Sequence, residues 1–279
     1  MVSIIDVVFL FLAIFVIVIG FIVATLPYIL NMLGLNRPFP GRSFNLSGKR
    51  ALIIATNQGT LGDTGKKTGV YASEMTVPYY EFIDAGMQVD IASIHGGEIP
   101  IEPVSLRWPI VTPVDIRFLS DGKFLDKVKY SLNITDIDFT KYDIVFLAGG
   151  WGAAYDLGYS KLLGQKISEA HASNVVLGSV CHGALGFLQA KDKNGDPLVK
   201  ARRMTAVTDK QVMELGIMMT PQHPETELRK AGALYESRHA FRDFFASHVV
   251  VDGNLVTGQN QNDAAETAQR MMAIVEKRS

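Results

Sequence analysis

Several features that would point to particular classes of protein are absent from the sequence. Its 279 residues include one cysteine, Cys181, so the chain can form no internal disulfide. Lys and Arg number 27 against 28 Asp and Glu, which leaves no positive surplus for holding nucleic acid. The six histidines lack metal-ligand spacing and have no cysteine cluster beside them, so we expect neither a metal site nor another cofactor. The remaining composition is that of a globular protein.

Charge is also nearly absent from residues 1–36, where Asp6 is the only formally charged side chain. Within that region, residues 7–30 form an uncharged apolar run, which as a helix would span about 36 Å. A helix in the core of a soluble protein would have a polar face, and this run has none. A signal peptide would have a basic residue before the run and a cleavage site after it, and both are missing here. We therefore expect residues 1–36 to be an uncleaved transmembrane anchor that binds a lipid bilayer.

The first basic residues follow the apolar run, at Arg37, Arg42, Lys49 and Arg50. By the positive-inside rule, this single-pass segment has its N-terminus outside the cell and places the rest of the chain in the cytoplasm. Residues 37–48 are rich in Pro, Gly, Ser and Asn and predict a linker. One domain would then occupy residues 49–279.

Short apolar runs alternate with helical patterns along this domain. We predict strands within 51–56, 88–93, 142–150 and 174–180, and helices within 78–86, 161–172 and 263–277. Such alternation is typical of an α/β fold with a mostly parallel sheet covered by helices. The Asp252-Gly253 pair divides residues 247–258 into two strands of a hairpin.

The most informative segment is the strand that runs directly into Cys181. His182 and Gly183 follow, and the helical pattern starts at once, which indicates a nucleophile elbow with sulfur in place of a serine hydroxyl. A cysteine at a helix N-terminus usually has a lowered pKa, so we predict a depressed thiol pKa here. The alternative is that Cys181 is a small buried residue without chemistry.

Two further positions are candidates for the same site. Gly150 ends the strand within 142–150, and the carboxyl ends of parallel strands meet at one edge of a sheet. The amides of Gly150 and His182 could therefore form an oxyanion hole. Glu74, at the start of a helical pattern, either points at Cys181 or only complements the helix dipole.

The tripeptide His223-Pro224-Glu225 offers a competing arrangement. Class I glutaminases use a His-Pro-Glu motif with their cysteine, so Cys181, His223 and Glu225 could form such a triad. Here, however, a helical pattern continues directly from Pro224. A loop and helix start without chemistry explains that pattern better.

Four motifs, in order, carry a resemblance to a known family. They are TGVYASEMTVPYYEFIDAGMQVDIAS, AGGWGAAYDL, GSVCHGALGFLQA and SHVVVDGNLVTGQNQ. Together they resemble the PfpI/DJ-1 superfamily of class I glutamine-amidotransferase-like domains, in its heat-shock-protein-31-like, glyoxalase III branch. The resemblance covers about residues 49–275 and implies a three-layer, flavodoxin-like α/β/α sandwich. It leaves the membrane anchor outside.

The resemblance also implies roles for individual residues. Cys181 corresponds to the nucleophile, Glu74 to its carboxylate partner, His182 to the histidine that follows, and Gly150 with His182 to the oxyanion hole. The branch carries a third, acidic triad residue at a position that falls near Val212 in this chain. Asp209 and Glu214 flank that position, so either of them, or neither, could orient His182.

These residues lead to an enzyme as the first functional hypothesis. The resemblance implies a glutathione-independent glyoxalase that converts small α-oxoaldehydes such as methylglyoxal to hydroxy acids, or a deglycase that acts on glycated proteins. From a different class, the chain could be a holding chaperone without catalysis, and a homodimer is possible. A glutaminase that uses the His223 motif is the least favoured alternative.

Overall fold

A computed structural model describes residues 4–278. The helices are α1 Ile4–Leu33, α2 Ala72–Asp84, α3 Pro113–Ser120, α4 Gly122–Lys129, α5 Ala153–Asp156, α6 Lys161–Ala172, α7 Asp209–Glu214, α8 Pro224–Lys230 and α9 Ala264–Glu276. The strands are β1 Arg50–Ala55, β2 Gln88–Ser93, β3 Leu132–Asn133, β4 Ile144–Leu147, β5 Val176–Val180, β6 Arg203–Met204, β7 Leu234–Tyr235, β8 Val249–Asp252 and β9 Leu255–Gly258.

Seven strands form one sheet in the order β3-β2-β1-β4-β5-β9-β8. All neighbours are parallel except β8 and β9, which pair antiparallel on either side of the Asp252-Gly253 turn. The central strands β4 and β5 are buried at every residue, because helices cover both faces of the sheet. Strands β6 and β7 form a separate parallel pair. The predicted flavodoxin-like α/β fold with a mostly parallel sheet is thus confirmed.

The N-terminal helix α1 differs from all the others described. It runs for 30 residues with a mean hydropathy of 3.4, and none of its residues is buried against the domain. Its length and composition suffice to cross a membrane, although a signal sequence would satisfy the same criteria. Apart from half-buried residues near its C-terminal end, such as Leu30, the apolar surface of this helix has no covering partner among the described residues.

The chain that follows α1 lies against the domain. Leu35 and Leu46 are buried, Asn36 donates a hydrogen bond to the Ile110 carbonyl, and Arg42 pairs with Glu276. Residues 37–48 contain no helix and no strand, and only a turn at positions 47–48. These contacts nevertheless mean that the segment is not a free spacer.

Candidate active site

The site lies at the carboxyl edge of the sheet, where the neighbouring strands β4 and β5 end. Cys181 directly follows β5. Gly149 and Gly150 follow β4, from which only Ala148 separates them. Glu74 is the third residue of α2, which approaches the same edge. The topology therefore brings together residues that are more than one hundred positions apart in the sequence.

Cys181 has a strained backbone. Its φ of 56° lies in the left-handed region, which costs a residue with a side chain about 1–2 kcal/mol. The helix that follows the strand is a 3-10 helix, Cys181–Phe187, which begins at the cysteine itself. This conformation turns the chain sharply and aims the sulfur at the strand ends, as a nucleophile elbow requires.

Two backbone amides point at the sulfur. The neighbouring amides of His182 and Gly150 both lower the pKa of the Cys181 thiol, so both favour the thiolate. Gly150 has a φ of 100°, and a Cβ at this position would overlap the backbone of Tyr71. Only glycine lets the chain bring this amide to the sulfur. The pair has the arrangement of an oxyanion hole for a carbonyl compound attached to Cys181.

Glu74 is fully buried beside this sulfur. Burial raises the pKa of Glu74 to about 8, while the neighbouring Cys181 thiol and Gly149 amide oppose that rise. Its Oε2 atom has no hydrogen-bond partner among the described residues. At neutral pH the Glu74 carboxyl group is therefore mostly protonated, and it can both donate and accept a proton near pH 8.

The predicted lowering of the Cys181 pKa is wrong. Burial, which leaves the residue 6% exposed, raises the pKa of the thiol, and the Glu74 carboxylate raises it further. The amides of His182 and Gly150 oppose these effects without reversing them. The resting site therefore holds a neutral thiol and a largely neutral carboxyl group, and a thiolate has to be formed during the reaction.

Among the described residues, the His182 side chain has a single polar contact, with the Cys181 sulfur. Its Nδ1 atom lies 3.3 Å from Cys181 Sγ, and its Nε2 atom has no hydrogen-bond partner among the described residues. Burial, with a smaller contribution from the nearby His223, lowers the pKa of His182 to about 3. The ring is neutral at physiological pH and is a weak base.

The acids that flank the expected triad position interact elsewhere. Asp209 accepts a hydrogen bond from Thr226, and Glu214 accepts one from the backbone amide of Asp243. The expected position itself holds Val212, which is 1% exposed. Within residues 4–278, no carboxylate hydrogen-bonds to His182. The site is thus a cysteine, histidine and glutamate cluster without the third triad acid.

The His-Pro-Glu tripeptide does not form a second arrangement of this kind. His223 interacts with the carbonyl of Met218, and Glu225 accepts hydrogen bonds from the Asp209 amide and from Arg229. Pro224 begins α8, as the helical pattern predicted. The hydrogen bonds of Glu225 thus do not orient His223 toward the cysteine.

A cavity of about 340 Å³ opens onto the cysteine. Cys181, Glu74, Gly150 and His182 lie on its wall, and the other lining residues are mostly apolar. Two of these, Leu30 of α1 and Leu35, come from the N-terminal region. Sequence reasoning missed both, because nothing in a hydrophobic run marks which of its residues will face a distant cavity. Among the described residues, no group of His, Cys, Asp and Glu could hold a metal ion.

The fold and the site define a class of protein: a flavodoxin-like α/β domain with a cysteine at a nucleophile elbow and a buried carboxyl group beside it. The chain belongs to the DJ-1/PfpI family, whose model matches residues 67–274. That match leaves α1, Leu30 and Leu35 outside the family region.

Relatives that cover most of the chain are named glyoxalases. Glyoxalase 3 of Candida albicans is 28% identical over an alignment of 246 residues, and the match covers 82% of this chain and 98% of the relative. Glutathione-independent glyoxalase hsp3101 of Schizosaccharomyces pombe is 27% identical over 237 residues, covering 81% and 96% of the two chains. These relatives support an enzyme of the glyoxalase III type.

Solved structures agree with the assignment. The Rapid Encystment Protein of Francisella tularensis superposes with a TM-score of 0.76 at 31% identity, covering 81% of this chain and 99% of that chain. Glyoxalase III of Candida albicans gives a TM-score of 0.73 at 27% identity, covering 81% and 97%. Both superpositions leave about a fifth of this chain uncovered.

Proposed function

We propose that the chain is a membrane-anchored, glutathione-independent glyoxalase that uses Cys181 to convert an α-oxoaldehyde and water into a 2-hydroxy acid. The observation that carries this proposal is the surroundings of the Cys181 sulfur, where two amides and a carboxyl group with a pKa of about 8 converge. The similarity to named glyoxalases over four fifths of the chain supports it.

The first step is addition of the sulfur to the aldehyde carbon. The Cys181 thiol gives its proton to the ionised fraction of Glu74, whose raised pKa makes it a far better acceptor than His182. The carbon–sulfur bond then forms, and the electron pair of the carbonyl moves onto oxygen. The amides of Gly150 and His182 stabilise that oxyanion. The oxyanion then takes the proton back from Glu74, which gives a hemithioacetal and leaves Glu74 ionised again.

The second step moves hydrogen between the two carbons of the substrate. Ionised Glu74 removes the proton from the former aldehyde carbon, and the electron pair passes to the neighbouring carbonyl to give an enediolate. Glu74 returns the proton to the second carbon, and the hydroxyl proton of the first carbon moves to the oxygen of the second, which leaves a thioester of a 2-hydroxy acid. One carbon is oxidised and its neighbour is reduced, so no outside oxidant is needed.

The third step is hydrolysis. Water adds to the thioester carbon, the carbon–sulfur bond breaks, and the hydroxy acid leaves with Cys181 restored as a thiol. His182 acts as a positioning residue in this scheme, because its Nδ1 atom contacts the sulfur while its low pKa makes it a poor base.

The depth of the sulfur favours a free carbonyl compound over a glycated protein. Cys181 is 6% exposed and lies inside the cavity, so a modified side chain on a folded protein would have difficulty in reaching it. We also propose that α1 spans the bilayer with its N-terminus outside, because the basic residues that follow it begin at Arg37.

The experiment uses the full chain in lipid nanodiscs. It is expected to convert methylglyoxal to lactate without glutathione, and the Cys181→Ser variant should lose this activity while keeping its circular dichroism spectrum. Turnover by the serine variant, or none by the wild type, would contradict the proposal. If the serine variant still protects a heat-denatured client from aggregation, a holding function separate from the chemistry is present.

A further inference from the structure

The wall of the catalytic cavity is completed by the N-terminal helix. Leu30, in the last turns of α1, and Leu35, just beyond its end, both line the cavity that holds Cys181. Leu35 is 3% exposed, so its side chain is packed into the domain. The wall of the site therefore includes the junction where the apolar helix meets the domain.

The contacts around that junction hold it in place. Asn36 donates a hydrogen bond of 3.0 Å to the Ile110 carbonyl, and its amide donates one of 2.8 Å to Asn262. Arg37 binds the carbonyls of Asn31 and Met32 at the end of α1. The cavity wall is thus built from a fixed segment.

The cavity is larger and more apolar than a three-carbon oxoaldehyde needs. Its volume of about 340 Å³ lies within the range of pockets that enclose drug-sized ligands. Away from the reacting groups, its lining includes Val104, Pro109, Ile110, Val207, Leu215 and Phe244. Such a lining stabilises hydrocarbon by about 0.8 kcal/mol for each buried methylene group, which corresponds to roughly a fourfold change in binding.

Exposed aromatic side chains lie in the two loops that border the junction. Trp108 is 52% exposed and sits two residues before the Ile110 carbonyl that Asn36 binds. Phe241 is 95% exposed and precedes Arg242 and Phe244, which line the cavity. Aromatic and basic residues together are typical of a surface at the level of lipid headgroups.

We propose that the substrate is an α-oxoaldehyde with an apolar alkyl chain, which enters from the bilayer surface past Leu30 and Leu35. The inference rests on the proposed function and specifies its substrate class. The oxoaldehyde end reaches Cys181, where the chemistry is that given above, and the alkyl chain occupies the apolar part of the cavity. The product is an ionised hydroxy acid, which is more soluble in water than the substrate.

The test is a series of 2-oxoaldehydes of increasing chain length, given to the full chain in nanodiscs of neutral phospholipid. From methylglyoxal to 2-oxooctanal, kcat/KM is expected to rise about threefold to fourfold for each added methylene group until the cavity is filled. Turnover of methylglyoxal with no rise, or a fall, along the series would overturn this inference and leave the proposed function intact. Absence of turnover with every member would overturn the proposed function as well.

A matched pair of variants separates binding in the cavity from partitioning of long substrates into lipid. Leu30→Trp places bulk in the cavity, whereas Leu33→Trp makes the same change at an exposed position of α1 that does not line it. Leu30→Trp should lower the ratio of kcat/KM for 2-oxooctanal to that for methylglyoxal about tenfold, the loss of roughly two methylene groups of burial. The ratio for Leu33→Trp should equal that of the wild type. Equal ratios in the two variants would show that lipid partitioning alone sets the preference.

Discussion

Replacing Glu74 by Gln should change how the stability of the domain depends on pH. Burial raises the pKa of Glu74 from 4.5 to about 8, so between these values the folded chain keeps a proton that the unfolded chain has released. Unfolding therefore releases a proton, and the wild type loses stability as the pH rises through this window, by about 1.4 kcal/mol per pH unit. At pH 7 the accumulated loss is about 3 kcal/mol. The Glu74→Gln variant lacks this loss.

The slope is the decisive measurement, because the substitution also has an effect that is independent of pH. The Glu74 Oε2 atom has no hydrogen-bond partner among the described residues, so an amide group at that position would leave a buried donor unsatisfied at a cost of about 1–3 kcal/mol. That cost shifts the whole curve of the variant. It does not alter the difference in slope.

The assay is urea unfolding of the full chain in a mild detergent, followed by tryptophan fluorescence from pH 5 to pH 9. Glu169→Gln, on the exposed face of α6, serves as the control and should keep the slope of the wild type. Repeating the Glu74 comparison in a Cys181→Ser background removes titration of the thiol. Parallel curves for wild type and Glu74→Gln would refute the raised pKa, and with it the role of Glu74 as proton carrier.

Three other predictions concern the Cys181 thiol, the Gly150 amide and the orientation of the chain in the membrane. Labelling of Cys181 by iodoacetamide should increase with pH without an inflection below pH 9. Glu74→Gln removes the carboxylate and should therefore shift the inflection to lower pH. An inflection near pH 7 in the wild type would contradict this prediction. Gly150→Ala should lower the melting temperature and abolish turnover, since the new Cβ overlaps the Tyr71 backbone; a stable, active variant would show that this amide is not needed. A reporter fused after Ser279 should be cytoplasmic, and digestion of the domain by protease added to sealed cells would reverse the proposed orientation.

Much of the sheet could be predicted from local patterns. The runs that became β2 and α6 have the bounds 88–93 and 161–172 that the sequence indicated, because each consists of one apolar pattern bordered by turn residues. The hairpin about Asp252-Gly253 was equally accessible. The two-residue strands β3, β6 and β7 were not, since pairs so short carry no periodicity and exist only where tertiary contacts hold them.

Some features of the site could also be predicted from the sequence, and others could not. The sharp turn at Cys181 and the glycine at position 150 could be located, because both are features of the backbone with a local signature. The direction of the thiol pKa could not, since it depends on burial and on Glu74, which is distant in sequence. The sequence already showed that no acid occupies position 212. Only the structure shows that His182 Nε2 therefore has no hydrogen-bond partner among the described residues.

The short connection after α1 has a mechanical consequence. The helix ends at Leu33, and the buried side chain of Leu35 comes two residues later, so no flexible spacer separates helix and domain. If α1 spans the bilayer as we propose, a change in its tilt would rotate the whole domain about the membrane surface. Because helices tilt to match the thickness of the surrounding bilayer, the cavity mouth would move deeper into the headgroups or away from them as that thickness changes. The bilayer itself would in this way set how readily the cysteine is reached.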